Sequence, residues 1–197
     1  MDTDTYYKTQ WSHNLLSTDD ALEYFFSSCS TSPACPLHET TTAGVRARYF
    51  RILNALRQRP QAVVASETLP DHYGIVDYET VKGLVFSSLY SPYRVFAPLA
   101  VALRDLENGD GRGMYALSGR DDSEWRCSCG GEQLTGGMAE IHLAIACGDG
   151  DMVDDSIEEL EDWHRRIQKT SSFADVLNKR VACSGWKMRT VERLKGT

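Results

Sequence analysis

The spacing of apolar residues along the chain predicts a mostly α fold. The clearest stripe lies in residues 43–58, where apolar side chains recur at the positions i, i+4, i+7, i+8 and i+11 of one helical face. Its members are Val45, Tyr49, Ile52, Leu53 and Leu56. No segment has the pattern of a convincing β-hairpin or of a βαβ unit. The chain is therefore predicted to be built from helices.

Other segments carry helical patterns with recognisable ends. Residues 18–28 begin at Thr18, a residue type that caps helix N-termini. Asp77 is the N-cap candidate of the next helix, which Pro92 interrupts, and Gly109 is the C-cap candidate of the helix that follows. Residues 138–147 form a short apolar run that fits a buried helix or a strand, of which the helix is favoured. Two more helices are predicted, at 156–169 with a face of Ile157, Leu160, His164 and Ile167, and at 172–182 with a face of Phe173, Val176, Leu177 and Val181.

The intervening segments have the composition of loops. Residues 29–41 combine prolines, cysteines and a Ser/Thr cluster, which is typical of a closed surface loop. A linker runs from Pro60 through Pro70, and residues 109–137, rich in Gly, Asp and Ser, are predicted to be irregular. We predict a single domain over 1–186, followed by a basic tail over 187–197.

The charge balance disfavours two classes of partner. The chain has 197 residues, and its 21 Lys and Arg against 28 Asp and Glu give a formal net charge of −7. It has no cluster of basic residues that would neutralise phosphates, so neither a nucleic acid nor a membrane surface is predicted as a partner. No apolar run is long enough to span a bilayer.

The N-terminus and the cysteines give conflicting indications of compartment. The first twenty residues are polar and acidic rather than signal-like, which predicts a cytoplasmic location. Six cysteines are more than a reduced chain needs, which indicates a secretory, disulfide-forming ancestry. Either the thiols are free inside the cell, or a targeting region that once preceded Met1 has been lost.

The sequence contains none of the common catalytic motifs. There is no G-x-S-x-G nucleophile elbow, and Ser118 and Ser184 have the sequence context of loop or cap serines. The cysteines and histidines lack paired zinc spacing, and no phosphate-binding glycine motif is present, so neither a metal nor a cofactor is predicted. The acidic stretch from Asp149 fails the EF-hand pattern, because Asp154 stands at position 6 and Leu160 at position 12.

Three titratable residues are the weak candidates for catalysis. His142 and His164 lie among apolar neighbours on predicted helices, where a histidine is more often structural than basic. Asp149 follows the first of these helices. These three residues would have to supply the acid–base chemistry of any enzyme built from this chain.

The order of short motifs along the chain resembles a known family. They are W-x-x-N-L-L-x-T-D from Trp11, A-L-x-x-F-F-x-x-C from Ala21, Y-G-I-V-D-Y from Tyr73, Y-S-P-Y from Tyr90, C-S-C from Cys127, A-I-A-C-G-D from Ala144 and C-S-G-W from Cys183. Together they resemble the middle region of fungal α/β-hydrolases related to tripeptidyl aminopeptidase and proline iminopeptidase, the S33 serine peptidases. The resemblance covers nearly the whole chain and implies the helical cap, or lid, without the hydrolase sheet.

The resemblance also implies disulfides and an absent catalytic triad. The nucleophile elbow and the segment carrying the acid and base have no counterpart in this chain, so none of the three catalytic residues is carried over. The implied cysteine pairs are Cys29 with Cys35, Cys127 with Cys129, and Cys147 with Cys183. Spacing alone leaves fifteen pairings open for six cysteines.

The leading hypothesis is a truncated hydrolase homologue without peptidase activity that acts as a binding or accessory protein. Hydrolase caps line substrate pockets with apolar side chains, so the aromatic residues are the binding candidates. They are Tyr73, Tyr90, Tyr93, Phe96 and Trp125. The partners considered are a hydrophobic small molecule, a hydrolase-core protein and a second copy of the chain. The alternative is a cap-derived enzyme with a new activity in fungal secondary-metabolite biosynthesis.

Overall fold

The structure is a computed structural model of the chain. The residues that it describes are 3–64, 73–119, 138–188 and 190–192. Most of them are helical, and the sheet found among them has two strands. The predicted mostly α fold is therefore confirmed for the described part of the chain.

The described residues fall into two compact units. The first contains those of 1–19 and 128–197, and the second those of 20–127. The single domain over 1–186 and the tail over 187–197 stay predictions.

The second unit is organised around one buried helix. Its elements are α2 (Thr18–Thr31), α3 (Thr42–Gln58), β1 (Gln61–Val63), β2 (Gly74–Val76), α4 (Tyr78–Ser88), α5 (Pro92–Glu107) and α6 (Arg112–Leu117). All five residues of the predicted α3 stripe are buried, and α3 packs against α4 and α5. The ring of Phe26 in α2 lies 5.3 Å from that of Tyr49 in α3. The apolar face of α3 is therefore the core of this unit.

Two of the predicted helix ends are confirmed by their hydrogen bonds. The carboxylate of Asp77 accepts a bond of 2.8 Å from the backbone N–H of Thr80, which caps the start of α4. After α5, Gly109 adopts a φ of +86°, and its N–H donates to the Leu106 carbonyl at 3.0 Å. A residue with a Cβ is strained at this φ, which explains why glycine ends the helix here.

The sequence predicted a linker after Pro60 and no β-hairpin, but the structure has two paired strands between Pro60 and Asp77. The prediction is wrong here. Strands β1 and β2 form an antiparallel pair in which Gln61 lies opposite Val76. The strands have three residues each, too few to display a readable alternation. Their buried valines, Val63 and Val76, pack on Gly111, where a Cβ would meet the two side chains at 3.2 and 3.4 Å. Tertiary packing therefore selects the strands.

The region predicted to be irregular from 109 to 137 also contains a helix. Helix α6 buries Met114 and Tyr115, and at its start Asp110 accepts a hydrogen bond of 3.0 Å from the backbone N–H of Arg112. Six residues are too few to establish a helical period. Residues 120–137 lie outside the described part of the chain.

The first unit is centred on a disulfide. Its elements are α1 (Thr3–Tyr7), α7 (Met138–Asp149), α8 (Ile157–Gln168), α9 (Lys179–Ser184) and two 3-10 turns at Ser12–Leu15 and Ala174–Val176. Cys147 on α7 is bonded to Cys183 on α9, and both pack with the buried Val153. Leu143, Leu160 and Trp186 surround this cluster. The segment 138–147 is thus helical, as predicted.

Two predicted faces in this unit are partly wrong. In α8 the buried residues are Trp163 and Ile167, whereas Ile157 is 73% exposed because it occupies the first turn beside the Ser156 cap. The helix predicted over 172–182 is instead a 3-10 turn followed by the short α9, with Val181 exposed. Side-chain packing against neighbouring segments sets these faces, which a period alone cannot reveal.

A single arginine fixes the N-terminal segment of the first unit. Arg180 donates from Nε and Nη2 to the two carboxylate oxygens of Asp155, both at 2.8 Å. Its Nη1 donates to the Thr9 carbonyl at 3.2 Å. Thr9 is buried, and its hydroxyl donates to the Asp151 carbonyl at 2.7 Å. These bonds hold residues near Thr9 against the loop after α7.

No helix in the described ranges has the length and apolar composition needed to cross a membrane.

Removal of the disulfides is expected to have unequal effects. The Cys147–Cys183 bond closes 36 residues of sequence and the Cys29–Cys35 bond closes 6. In the loop-closure treatment these lengths correspond to about 4 and about 2 kcal/mol of unfolding free energy. The double variant Cys147→Ala/Cys183→Ala removes the longer loop closure from the first unit, and Cys29→Ala/Cys35→Ala removes the shorter one from the second unit. We therefore expect the first double variant to lose about 2 kcal/mol more unfolding free energy than the second. Urea unfolding followed by circular dichroism measures both, and equal losses would contradict this expectation.

Candidate functional site

An apolar groove lies between α2 and α5 in the second unit. Its volume is about 430 Å³. Phe25 and Phe96 form its aromatic part, with ring centroids 5.0 Å apart in an edge-to-face arrangement. Ala97, Ala100 and Val101 line the α5 side, and their small side chains leave the space open. The groove has the size and lining of a site for a small apolar molecule.

The other wall of the groove is the loop closed by the Cys29–Cys35 disulfide. The Cα atoms of the two cysteines are 5.3 Å apart, and both residues line the groove. The loop is further fixed by His38, whose Nδ1 lies 3.2 Å from the Cys29 carbonyl oxygen. Ser28 and Ser32 supply the polar atoms of the lining, and no charged side chain lines the described groove. This wall is therefore preformed and uncharged.

The structure separates the aromatic residues that the sequence put forward for binding. Phe96 lines the groove, and Tyr93 lies one turn before it on α5 with 96% of its surface exposed. Tyr90 lies in the turn after α4, and its ring contacts that of Phe86. Tyr73 lies before β2, and its backbone carbonyl accepts a hydrogen bond from the Tyr115 hydroxyl. Phe96 and Tyr93 thus share a helix face, whereas Tyr73 and Tyr90 lie elsewhere.

Trp125, Cys127 and Cys129 lie outside the described residues. The other four cysteines form the two pairs that the family resemblance implies.

Two of the weak catalytic candidates belong to an aromatic cluster in the first unit. His142 Nε2 lies 2.9 Å from the Lys179 ammonium, which itself lies 4.2 Å from the centre of the Trp11 ring. The Tyr6 ring contacts Trp11 at 4.9 Å, and the Tyr6 hydroxyl donates to Asp149 Oδ2 at 2.9 Å. The cluster therefore links His142 to Asp149 through side chains of the N-terminal segment.

His142 and Asp149 have separate polar partners in this cluster. Burial lowers the pKa of Lys179 below its usual range. The polar contact of His142 is with the Lys179 amine and not with a carboxylate that would orient a general base. Asp149 follows His142 by seven residues on α7, about 10 Å along the helix axis. These two residues therefore do not form an acid–base pair.

The backbone of the cluster is strained. Thr9 and Trp11 have φ values of 56° and 57°, in the left-handed region that residues with a Cβ avoid. Trp11 is only 2% exposed, so burial of its indole holds this conformation. Such strained backbone persists where the packing of the surrounding side chains holds it in place.

The third candidate, His164, has a different environment. Its Nε2 lies 3.6 Å from Asp175 Oδ1 and 3.1 Å from Gln168 Nε2, and about a third of its side chain is exposed. A histidine oriented by a carboxylate becomes a general base when a nucleophile contacts its ring. Within the described ranges no serine, threonine or cysteine side chain is hydrogen-bonded to it. His164 is therefore a surface residue of α8 in a local polar network.

Sequence reasoning missed most of the groove and most of the cluster. The recurrence of Ala97, Ala100 and Val101 beside Phe96 was a readable signal, because small residues at helical spacing leave room beside a helix. Nothing local to Lys179 or Tyr6 indicated these contacts, because Tyr6 lies 143 positions from Asp149 and Lys179 lies 37 positions from His142. No group of three metal-ligating side chains occurs in the parts of the chain that the structure describes.

No protein-family model matches the chain, and no curated protein matches it.

Replacement of Tyr6 by Phe is expected to remove a pH-dependent stabilisation. Burial, and then the hydrogen bond to Asp149, raise the pKa of Tyr6 to about 12, against about 10 in the unfolded chain. The neutral phenol is thus favoured by folding. Its contribution is complete below pH 10 and is lost as the pH rises from about 10 through about 12. At neutral pH we expect Tyr6→Phe to lower the unfolding free energy by about 1 kcal/mol.

Urea unfolding at pH 7, 9 and 11 tests this expectation. Tyr93→Phe is the matched control, because it removes the same hydroxyl from a side chain that is 96% exposed. The difference between wild type and Tyr6→Phe should shrink above pH 10, while that for Tyr93→Phe stays near zero. A Tyr6→Phe difference that is the same at pH 9 and 11 would contradict the assignment.

Proposed function

We propose that the chain is a helical, cap-like binding module that takes an uncharged hydrophobic small molecule in the groove between α2 and α5. The observation that carries the proposal is the groove itself, about 430 Å³ in volume and lined by Phe25, Phe96 and the Cys29–Cys35 disulfide. Sites for small molecules are concave and mostly apolar, with a few polar atoms that fix orientation. Ser28 and Ser32 are suited to that second role.

The chemistry of the lining defines the class of ligand. Since no charged residue lines the described groove, a charged ligand would lose its hydration without gaining a partner. An apolar ring or chain would instead cover the exposed parts of Phe96 and Val101. Tyr93, on the same face of α5, offers a further exposed ring at the groove's end. The proposed ligand is accordingly apolar and neutral, with at most one or two hydroxyl or carbonyl groups.

The family resemblance agrees with this proposal. Caps of S33-type hydrolases line substrate pockets, so a cap-like protein that binds an apolar molecule would keep that part of the ancestral role. In this proposal a hydrolase-core protein or a second copy of the chain is an additional partner and not a requirement for binding. The protein would act by binding or as an accessory, without peptidase activity.

The disulfides bear on where the protein works. Disulfides form and persist in oxidising compartments. The groove wall contains one of them, so the ligand-binding form would be the oxidised form. We therefore propose an oxidising compartment as the site of function, in keeping with a secretory ancestry.

A cap-derived enzyme is the alternative, and no specific arrangement of the described residues favours it. His142, Asp149 and His164 have separate partners, namely Lys179, Tyr6 and Asp175. The binding proposal is preferred because its site exists as a formed groove.

A neutral fluorescent probe tests the binding proposal. N-phenyl-1-naphthylamine is apolar and uncharged, and its emission rises when it leaves water. We expect saturable binding to the wild type and a loss of at least about tenfold in affinity in Ala97→Arg, because the arginine fills the groove and places a charge in its lining.

Ala116→Arg is the matched control. Ala116 is exposed on α6 in the same unit and does not line the groove. It should bind the probe like the wild type, and circular dichroism should show that both variants are folded. Equal binding by Ala97→Arg and Ala116→Arg would refute the assignment of the groove as the site.

A further inference from the structure

The two disulfides among the described residues differ in their exposure to solvent. Cys147 and Cys183 are 5% and 3% exposed and lie in a buried apolar cluster. Cys29 is 3% exposed, but its partner Cys35 is partly exposed and follows the exposed Ala34. A thiolate must reach a disulfide sulfur before exchange can occur. The Cys29–Cys35 bond is therefore the more accessible of the two, through Cys35.

This accessible disulfide joins one wall of the apolar groove to α2. Cys29 lies in the last turn of α2 and lines the groove. The loop residues that line it are Ser32, Ala34, Cys35 and Pro36. The bond thus connects the groove-lining part of the loop covalently to the helix beside it.

The hydrogen bonds of the loop restrain its far end more than its groove-lining part. The Cys35 N–H donates to the Ser32 carbonyl, and the His38 N–H donates to the Cys35 carbonyl, both at 2.9 Å. Both bonds lie within the loop and do not reach α2. Beyond the lining residues, Leu37 is fully buried, and His38 Nδ1 lies 3.2 Å from the Cys29 carbonyl oxygen. Opening of the disulfide would therefore release the groove wall while Leu37 keeps the loop anchored.

We propose that the Cys29–Cys35 disulfide is a thiol-exchange site whose opening releases the ligand of the apolar groove. This inference rests on the proposed function, because it takes that groove as the binding site. A wall that has to be ordered on binding lowers the affinity, since the lost conformational freedom is subtracted from the binding free energy. The protein would hold its ligand in an oxidising compartment and release it where low-molecular-weight thiols are abundant.

The exchange takes place in two steps. In the first, the thiolate of a small thiol attacks Sγ of Cys35, a new sulfur–sulfur bond forms, and Cys29 leaves as a thiolate. In the second, another small thiolate attacks the sulfur of the bound thiol, and Cys35 leaves as a thiolate. The small thiols end as their own disulfide and supply two electrons. Their two protons pass to the two cysteines.

Dithiothreitol, a small dithiol, tests the exchange site on the intact oxidised chain. Alkylation with iodoacetamide at timed intervals, followed by peptide mass mapping, measures the opening of each disulfide separately. We expect the Cys29–Cys35 bond to open at least about tenfold faster than the Cys147–Cys183 bond. With 2-mercaptoethanol, a monothiol, the first adduct should be on Cys35 while Cys29 is alkylated. Equal opening rates, or an adduct mainly on Cys29, would overturn the inference.

Titration with N-phenyl-1-naphthylamine tests the effect on the groove. The chain is compared in its oxidised form and after brief reduction, when Cys29–Cys35 is open and Cys147–Cys183 is still closed. We expect the opened form to bind the probe at least about fivefold more weakly. Cys29→Ala/Cys35→Ala fixes the open state, so it should bind equally weakly and should not respond to dithiothreitol. Circular dichroism checks that both open forms remain helical.

Amide hydrogen exchange without any ligand gives an independent readout of the wall. The Cys35 and His38 amides should exchange faster after opening, while that of Tyr49 in the buried stripe of α3 stays unchanged. If the oxidised chain binds the probe but opening changes neither affinity nor exchange, the inference alone is overturned. If the oxidised chain does not bind the probe, the proposed function and ligand release are both refuted, and the peptide map still decides whether Cys29–Cys35 is the exchange site.

Discussion

The buried stripe of α3 is the constraint on which the apolar groove between α2 and α5 depends. Its five apolar residues occupy more than three turns of one face, and truncation of any one of them is expected to cost about 2–5 kcal/mol. Tyr49 positions α2 through Phe26, and α3 packs directly on α5. Because α2 and α5 are held by the same helix, the apolar groove has fixed walls.

The local sequence pattern predicted the long helices and their ends. It failed for the short elements and for contacts between residues far apart in the sequence. The α3 stripe, the Asp77 cap and the Gly109 terminus each depend on residues close together in the sequence, and the structure has all three. Strand β1 and helix α6 are too short to carry a period and are selected by packing of Val63 on Gly111. Phe96 was identified as a binding candidate from its type alone, but its partner Phe25 lies 71 positions earlier in the chain. The Lys179–His142 contact likewise joins separate helices, which no local pattern encodes.

The central claim is that a neutral apolar molecule occupies the groove between α2 and α5. Methyl-resolved NMR of the alanine- and valine-labelled chain, titrated with N-phenyl-1-naphthylamine, tests it most directly. The account predicts saturable shifts for the methyl groups of Ala97, Ala100 and Val101, with those of Ala116 and the buried Val81 unchanged. Shifts that are absent from the three groove residues, or that spread evenly over all labelled methyl groups, would contradict it.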